Sequence, residues 1–246
     1  MFNFGYDKRM SYILMAILIA MNLRNYMYDS NAILDLILSL PAVLIAITFH
    51  EFAHAFAADK LGDDTPRRQG RLTLNPLAHL DPIGSIMLVF AGFGWGKPVE
   101  ITPVNFNRKR SMAESEAIVS FAGPLMNFFL AIVFAIIWGV VIVITKGVTN
   151  QVTEVILTMI SYGVSVNLGL GIFNLIPLPP LDGSKILKNI LPSKARQWYE
   201  GHYNILYIVF IIVWITPIAS YIITPILTGA YTGIMSLVIN IVRNFI

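Results

Sequence analysis

Apolar runs follow one another along the chain at about 10–23, 32–58, 82–95, 117–145, 153–177, 204–223 and 226–242, separated by short polar stretches. A helix rising 1.5 Å per residue needs ~20 apolar residues to cross a ~30 Å hydrocarbon core. The pattern therefore predicts an all-α polytopic membrane protein with about six transmembrane helices. The run Pro82–Trp95 stands apart, because it is short and carries Gly84, Gly92 and Gly94, with Gly96 just beyond. A glycine-rich re-entrant loop or a small β-hairpin that returns to its own side fits it better than a spanning helix. The first run follows the basic pair Lys8-Arg9, as in a signal peptide, but no small-x-small cleavage site succeeds it. It reads as a retained first segment.

Composition supports the same class. The 246 residues are 56% hydrophobic and 13% charged, against ~25% charged in an average soluble domain. Charge placement sets the orientation. With Pro82–Trp95 returning to its own face, all of the 17 Lys and Arg residues except Arg24 and Lys146 gather on one side. By the positive-inside rule that side is the cytoplasm, and both termini lie there. A multi-pass protein of the cell membrane is the expectation. The formal charge of +3 is small and dispersed, which excludes nucleic acid as a partner. The absence of cysteine removes disulfides and thiolate metal ligands.

Inside the second run stands His50-Glu51-Phe52-Ala53-His54, an HExxH pattern. On a helix, positions i and i+4 share a face, so two imidazoles can reach one Zn²⁺ at ~2.0–2.1 Å. The intervening glutamate can move protons between a water and a leaving amine. The competing reading, polar residues at a membrane boundary, leaves three ionisable groups buried without a ligand, which is costly. A catalytic zinc site needs a third protein ligand. His79, Glu100, His202 and Asp182 are the candidates. Glu100 and His202 sit in polar, loop-like surroundings that suit solvated side chains. Topology favours Asp182: the helix bearing His50 and the run 153–177 both head for the cytoplasm, and the prolines after Phe173 break the second just before Asp182.

With these residues in view, the chain resembles the site-2 protease family of intramembrane zinc metalloproteases. HEFAH at His50–His54 and the proline-rich run Asn174–Gly183 carry the likeness. "RLTLNPLAHLDPIGS" (Arg71–Ser85), "GWGKPVEI" (Gly94–Ile101) and "AGPLMN" (Ala122–Asn127) extend it. The branch it resembles is the compact one without a PDZ domain. The resemblance implies His50, His54 and Asp182 as ligands of one Zn²⁺ per chain and Glu51 as general base. It implies a three-helix catalytic core, here 32–58, 117–145 and 153–177, and a transmembrane protein substrate met within the lipid bilayer. The chain is expected to form a single membrane domain over 1–246, with the catalytic core at about 32–190 and C-terminal transmembrane helices at about 204–242. Asn127, His79 and Asn174 are candidate oxyanion or substrate contacts. The Asn174 motif holds one residue more before the aspartate than the family's form, so the likeness carries Asn174 less directly than Asp182. The alternatives are a catalytically inactive scaffold or a zinc-transporting membrane protein.

Overall fold

The computed structural model describes residues 31–91 and 94–246, and the first apolar run lies outside the described residues. Nine α-helices are described: α1 Ala32–Lys60, α2 Thr65–Arg68, α3 Pro82–Ala91, α4 Met112–Ile144, α5 Gln151–Asn174, α6 Asp182–Ile190, α7 Ser193–Gly201, α8 Tyr203–Ile215 and α9 Ile218–Val242. Four of them, α1, α4, α5 and α9, are long and apolar enough to cross a membrane. No strand occurs among the described residues; the only pairing of that kind is an isolated bridge between Leu80 and Gly96.

The trio α1, α4 and α5 forms the centre. Small residues let the helices approach, as is usual where lipid rather than water surrounds a bundle. Ala131 and Ala135 of α4 pack with Val164 and Leu168 of α5 and with Met235 of α9. Both α4 and α5 start on capping boxes, Ser111 with Glu114 and Asn150 with Thr153. Each satisfies backbone donors that the first turn leaves open. At the opposite end α1 stops on Gly62, whose φ of +105° suits a residue without a Cβ. The chain turns back so that the Asp63 amide reaches the Ala58 carbonyl at 3.0 Å.

Two expectations need correction. The run after Leu80 is helical over Pro82–Ala91, not a β-hairpin. Asp81 explains this: its carboxylate accepts from the Gly84 amide at 2.8 Å, and Pro82 takes the first helical position. An Asx cap followed by proline is a helix start. The chain nevertheless returns. Gly94 and Trp95 lie so close to Gly84 that a Cβ on Gly84 would overlap the Trp95 carbonyl, and the Lys97 amide bonds the His79 carbonyl at 2.8 Å.

The run 204–223 is likewise not one helix. It breaks at Thr216, extended at φ −106° and ψ 163°, directly before Pro217. Proline disfavours α geometry in the preceding residue. Helix α8 has 13 residues, ~20 Å at 1.5 Å per residue, and α9 absorbs Pro225 instead of starting after it.

The loops at the site's end are tied by Asp63, which is fully buried. Its carboxylate accepts from the Thr102 amide at 2.6 Å, from the Thr65 amide and Asn105 Nδ2, both at 3.1 Å, and from the Thr65 hydroxyl. Burial alone raises its pKa, but these bonds to the charged form outweigh it and hold the carboxyl below its ordinary range. A lowered folded-state pKa adds stability above the unfolded value and loses it as pH falls through the folded one. Asp63→Asn should therefore cost about 2–4 kcal/mol at pH 7. Its deficit against wild type, measured by thermal unfolding in detergent, should shrink as the pH drops below about 4.

Candidate metal centre

Helix α1 presents His50 and His54 one turn apart on its buried face, and Asp182 reaches them from the first position of α6. The three side chains are 10% exposed or less. Asp182 Oδ2 lies 3.2 Å from His50 Nε2 and 3.0 Å from His54 Nε2, and the two Nε2 atoms are 3.0 Å apart.

The other ring nitrogens decide what those contacts mean. His50 Nδ1 lies 2.6 Å from Asn127 Oδ1, and His54 Nδ1 lies 2.7 Å from the Val119 carbonyl. Both partners only accept, because the amide nitrogen of Asn127 donates elsewhere, to the Ala46 carbonyl (3.1 Å) and to Asn167 Oδ1 (3.0 Å). Each Nδ1 therefore carries the proton, which leaves each neutral Nε2 with a lone pair. With both rings neutral, two lone pairs and a carboxylate oxygen then face one another at ~3 Å. Such a set is repulsive alone and is the donor set of a bound cation: two imidazoles and a carboxylate suit zinc, and outer bonds to Nδ1 are how metal-ligating histidines are held. Among the described residues, this is the one group of three or more His, Asp or Glu side chains whose ligand atoms converge closely enough for a metal.

The backbone makes room for the set. Gly123 of α4 faces both imidazoles, and a Cβ there would come within 2.6 Å of His54 Cε1 and 2.7 Å of His50 Cε1. One residue on, Pro124 has no amide hydrogen to give the Ser120 carbonyl. Asp182 follows the short loop 175–181, where the Tyr199 hydroxyl of α7 donates to the Pro177 carbonyl at 2.8 Å.

Beside the three ligand atoms lies a cavity of about 140 Å³, lined among others by Glu51, Val99, Ser120, Asn174 and Lys185. Glu51 Oε2 accepts from the Val99 amide at 3.0 Å, so the run Gly94–Thr102 holds the carboxylate that α1 supplies.

The remaining candidates are placed elsewhere. His79 is fully buried, with Nε2 2.7 Å from the Thr73 carbonyl. Burial pushes its pKa down, so the ring is neutral, and it braces its loop without lining the cavity. Glu100 accepts from Gln69 Nε2 at 2.9 Å on an exposed surface. His202 stacks on Trp198 with ring centroids 4.5 Å apart. Asn174 reaches the cavity wall and donates to the Leu170 carbonyl at 3.0 Å. Asn127, expected as an oxyanion donor, points its oxygen at His50 and commits its amide hydrogens to other partners. Asn167 escaped the sequence reading altogether. It is fully buried, accepts from Asn127, and donates to the Gly163 carbonyl at 2.8 Å. An asparagine in an apolar spanning run was its only signal.

Gly123→Ala tests the steric argument. Neither ring can retreat without breaking its Nδ1 bond, so metal affinity should fall about 10–100-fold, the usual cost of disturbing a ligand's support. Metal content after dialysis against a graded chelator series reads it directly.

Comparison with known proteins agrees with this geometry. The sequence profile of peptidase family M50 matches residues 39–216. YwhC of Bacillus subtilis (strain 168), named as a zinc metalloprotease, is 37% identical over 180 residues, covering 73% of this chain and 81% of the relative. Rip2 of Mycolicibacterium smegmatis (strain ATCC 700084 / mc(2)155), named likewise, is 28% identical over 184 residues, 74% of this chain and 68% of its own. MJ0611 of Methanocaldococcus jannaschii, again so named, is 29% identical over 163 residues, 66% and 75% of the two chains. No solved structure matches significantly. The profile match takes in well over half of the sequence and encloses His50, Glu51, His54 and Asp182, and the chain belongs to peptidase family M50.

Proposed function

We propose that this M50 peptidase is an intramembrane zinc metalloprotease that hydrolyses peptide bonds in or near transmembrane segments of membrane-protein substrates. His50, His54 and Asp182 hold one Zn²⁺ per chain, and Glu51 is the general base. The observation that carries this reading is the convergence of two imidazole lone pairs and a carboxylate oxygen within 3.2 Å, beside a cavity that Glu51 lines. The metalloprotease names of the relatives support it.

When bound there, zinc supplies Lewis-acid activation of a water and of the scissile carbonyl. Glu51 takes a proton from the attacking water and delivers it to the leaving amine. The Val99 amide fixes one oxygen of the Glu51 carboxylate beside the cavity that this side chain lines. Asn127 and the Val119 carbonyl keep both imidazoles in the ligating tautomer, so Asn127 acts by positioning His50. His79 stabilises the loop that borders the site, and Asn174 is a substrate contact on the cavity wall. The non-helical run Gly94–Thr102, with Pro98, Val99 and Ile101 on the cavity wall, is the segment against which an extended substrate would lie.

The chain is an integral membrane protein, with four helices of spanning length and apolarity and membership of a family that works within the bilayer. We place both termini in the cytoplasm of a cell-membrane protein, with the site near that face. His50 sits ten residues before the end of α1 at Lys60, ~15 Å along the helix, so water has its shorter route from there. The segment around α3 is re-entrant in this reading, since Leu80 and Gly96 meet, and the whole of 1–246 acts as one unit with its catalytic core at about 32–190.

Two experiments test this. Cysteines introduced singly at Asp64, Arg108 and Lys194 should react only with a cytoplasmic reagent, and one at Thr149 only from the opposite side. Opposite accessibility of positions 64 and 108 would show α3 to be part of a crossing. Second, Glu51→Gln should keep zinc yet cleave a co-expressed membrane substrate about 10²–10⁴ times more slowly, whereas His50→Ala should lose the metal as well. Undiminished cleavage by zinc-loaded Glu51→Gln would overturn the proposed chemistry.

A further inference from the structure

Helix α6 carries two lysines one turn apart, and they face different partners. Lys188 pairs with Glu116 of α4 at 3.5 Å, an ordinary tie between helices. Lys185 turns to the cavity instead, where its Nζ lies 3.4 Å from Asp182 Oδ1. The two oxygens of Asp182 are thus divided: Oδ2 faces both imidazoles, and Oδ1 faces the ammonium. An exposed pair three residues apart on one helix adds little to stability, and the Lys185 side chain is 53% exposed. Its place on the cavity wall calls for another reason.

A carboxylate can bind a cation through one oxygen or chelate it through both. A catalytic zinc site uses three protein ligands and keeps a position for water or substrate. Chelation by Asp182 would add a fourth protein donor beside that position and raise the coordination number to five. We propose that Lys185 is a positioning residue that holds Oδ1 away from the metal, so that Asp182 ligates through Oδ2 alone and one coordination position stays open. This rests on the metal-centre reading above. It assigns Lys185 a role in the coordination number of the site rather than in binding the metal.

The test replaces zinc by Co²⁺ in the full-length chain in detergent, because cobalt's visible absorption reports coordination number and needs no substrate. Wild type should show the intense bands of a four-coordinate ion. Lys185→Met should show the weaker bands of a five-coordinate one, while metal release to a chelator stays as slow as in wild type or slower. Lys185→Arg should restore the wild-type spectrum. With zinc, cleavage of a labelled apolar peptide interrupted by Gly-Pro should lose about 10–100-fold in kcat in Lys185→Met, the scale of outer-shell changes, with KM unchanged. Because Lys185 is exposed, the substitution leaves the buried core untouched, and a matching unfolding temperature confirms it. An unchanged cobalt spectrum in Lys185→Met overturns the proposal, and a rise in KM alone would make Lys185 a substrate contact instead. Faster metal release would reduce it to a brace for Asp182, which also overturns it. If wild type takes up no cobalt, the metal-centre reading fails first, and the proposal with it.

Discussion

Two neutral imidazoles and a carboxylate meeting in a buried interior are the constraint on which the rest of the structure turns. His50 Nε2, His54 Nε2 and Asp182 Oδ2 repel one another unless a cation lies between them. They are kept in place by bonds made on the far side of each ring. The Asn127–Asn167 pair and the Val119 carbonyl are those bonds, and they join all three central helices. These buried groups of α1, α4 and α5 thus form one connected set. In lipid, a half-satisfied set of this kind costs more than an apolar interface would.

That constraint reaches into the backbone. The rings occupy the space where α4 would otherwise present a side chain, so α4 must offer Gly123 there. The same close approach lets Val119, one turn earlier, use its carbonyl as a ring partner. A spanning helix packed with large residues would exclude both contacts. The small residues of α4 therefore serve two ends: Ala131 and Ala135 bring α5 and α9 close, and Gly123 admits the imidazoles.

Much of this was legible in the sequence because periodicity and chemistry coincide there. HExxH spacing fixes two rings on one helix face, and the direction of the spanning runs carries Asp182 to the same end. The parts that were not legible share a physical cause. An asparagine in an apolar run reads the same whether it donates to a substrate or accepts from a histidine, so the role of Asn127 waits on its partners. The helix at Pro82–Ala91 was hidden by Gly84 and by the glycines that follow it, although Asp81-Pro82 is a start signal that propensity alone outweighed. Near the C-terminus the chain offers two prolines in apolar surroundings. Only packing decides that Pro217 ends a helix while Pro225 rides inside one. Lys185 looked like one more basic residue of a cytoplasmic face.

In the proposed mechanism, ligation and proton transfer are supported by different parts of the fold. His50 and His54 hang from the spanning helix α1 and Asp182 from the short α6, and the ring partners are buried. Glu51, although it neighbours His50 in sequence, is aimed by the Val99 amide of an extramembrane-type loop. That loop is secured from beneath by Arg71, 4% exposed, which donates to the carbonyls of Ala78 and Lys97. Burying a guanidinium without a carboxylate partner is costly, and what it secures is the geometry of the run that carries Val99. A substrate strand lying along this run would press on the segment that orients the base while leaving the metal ligands undisturbed. No hydrogen bond that holds the two rings passes through the loop, so the support of Glu51 is separate from that of the imidazoles.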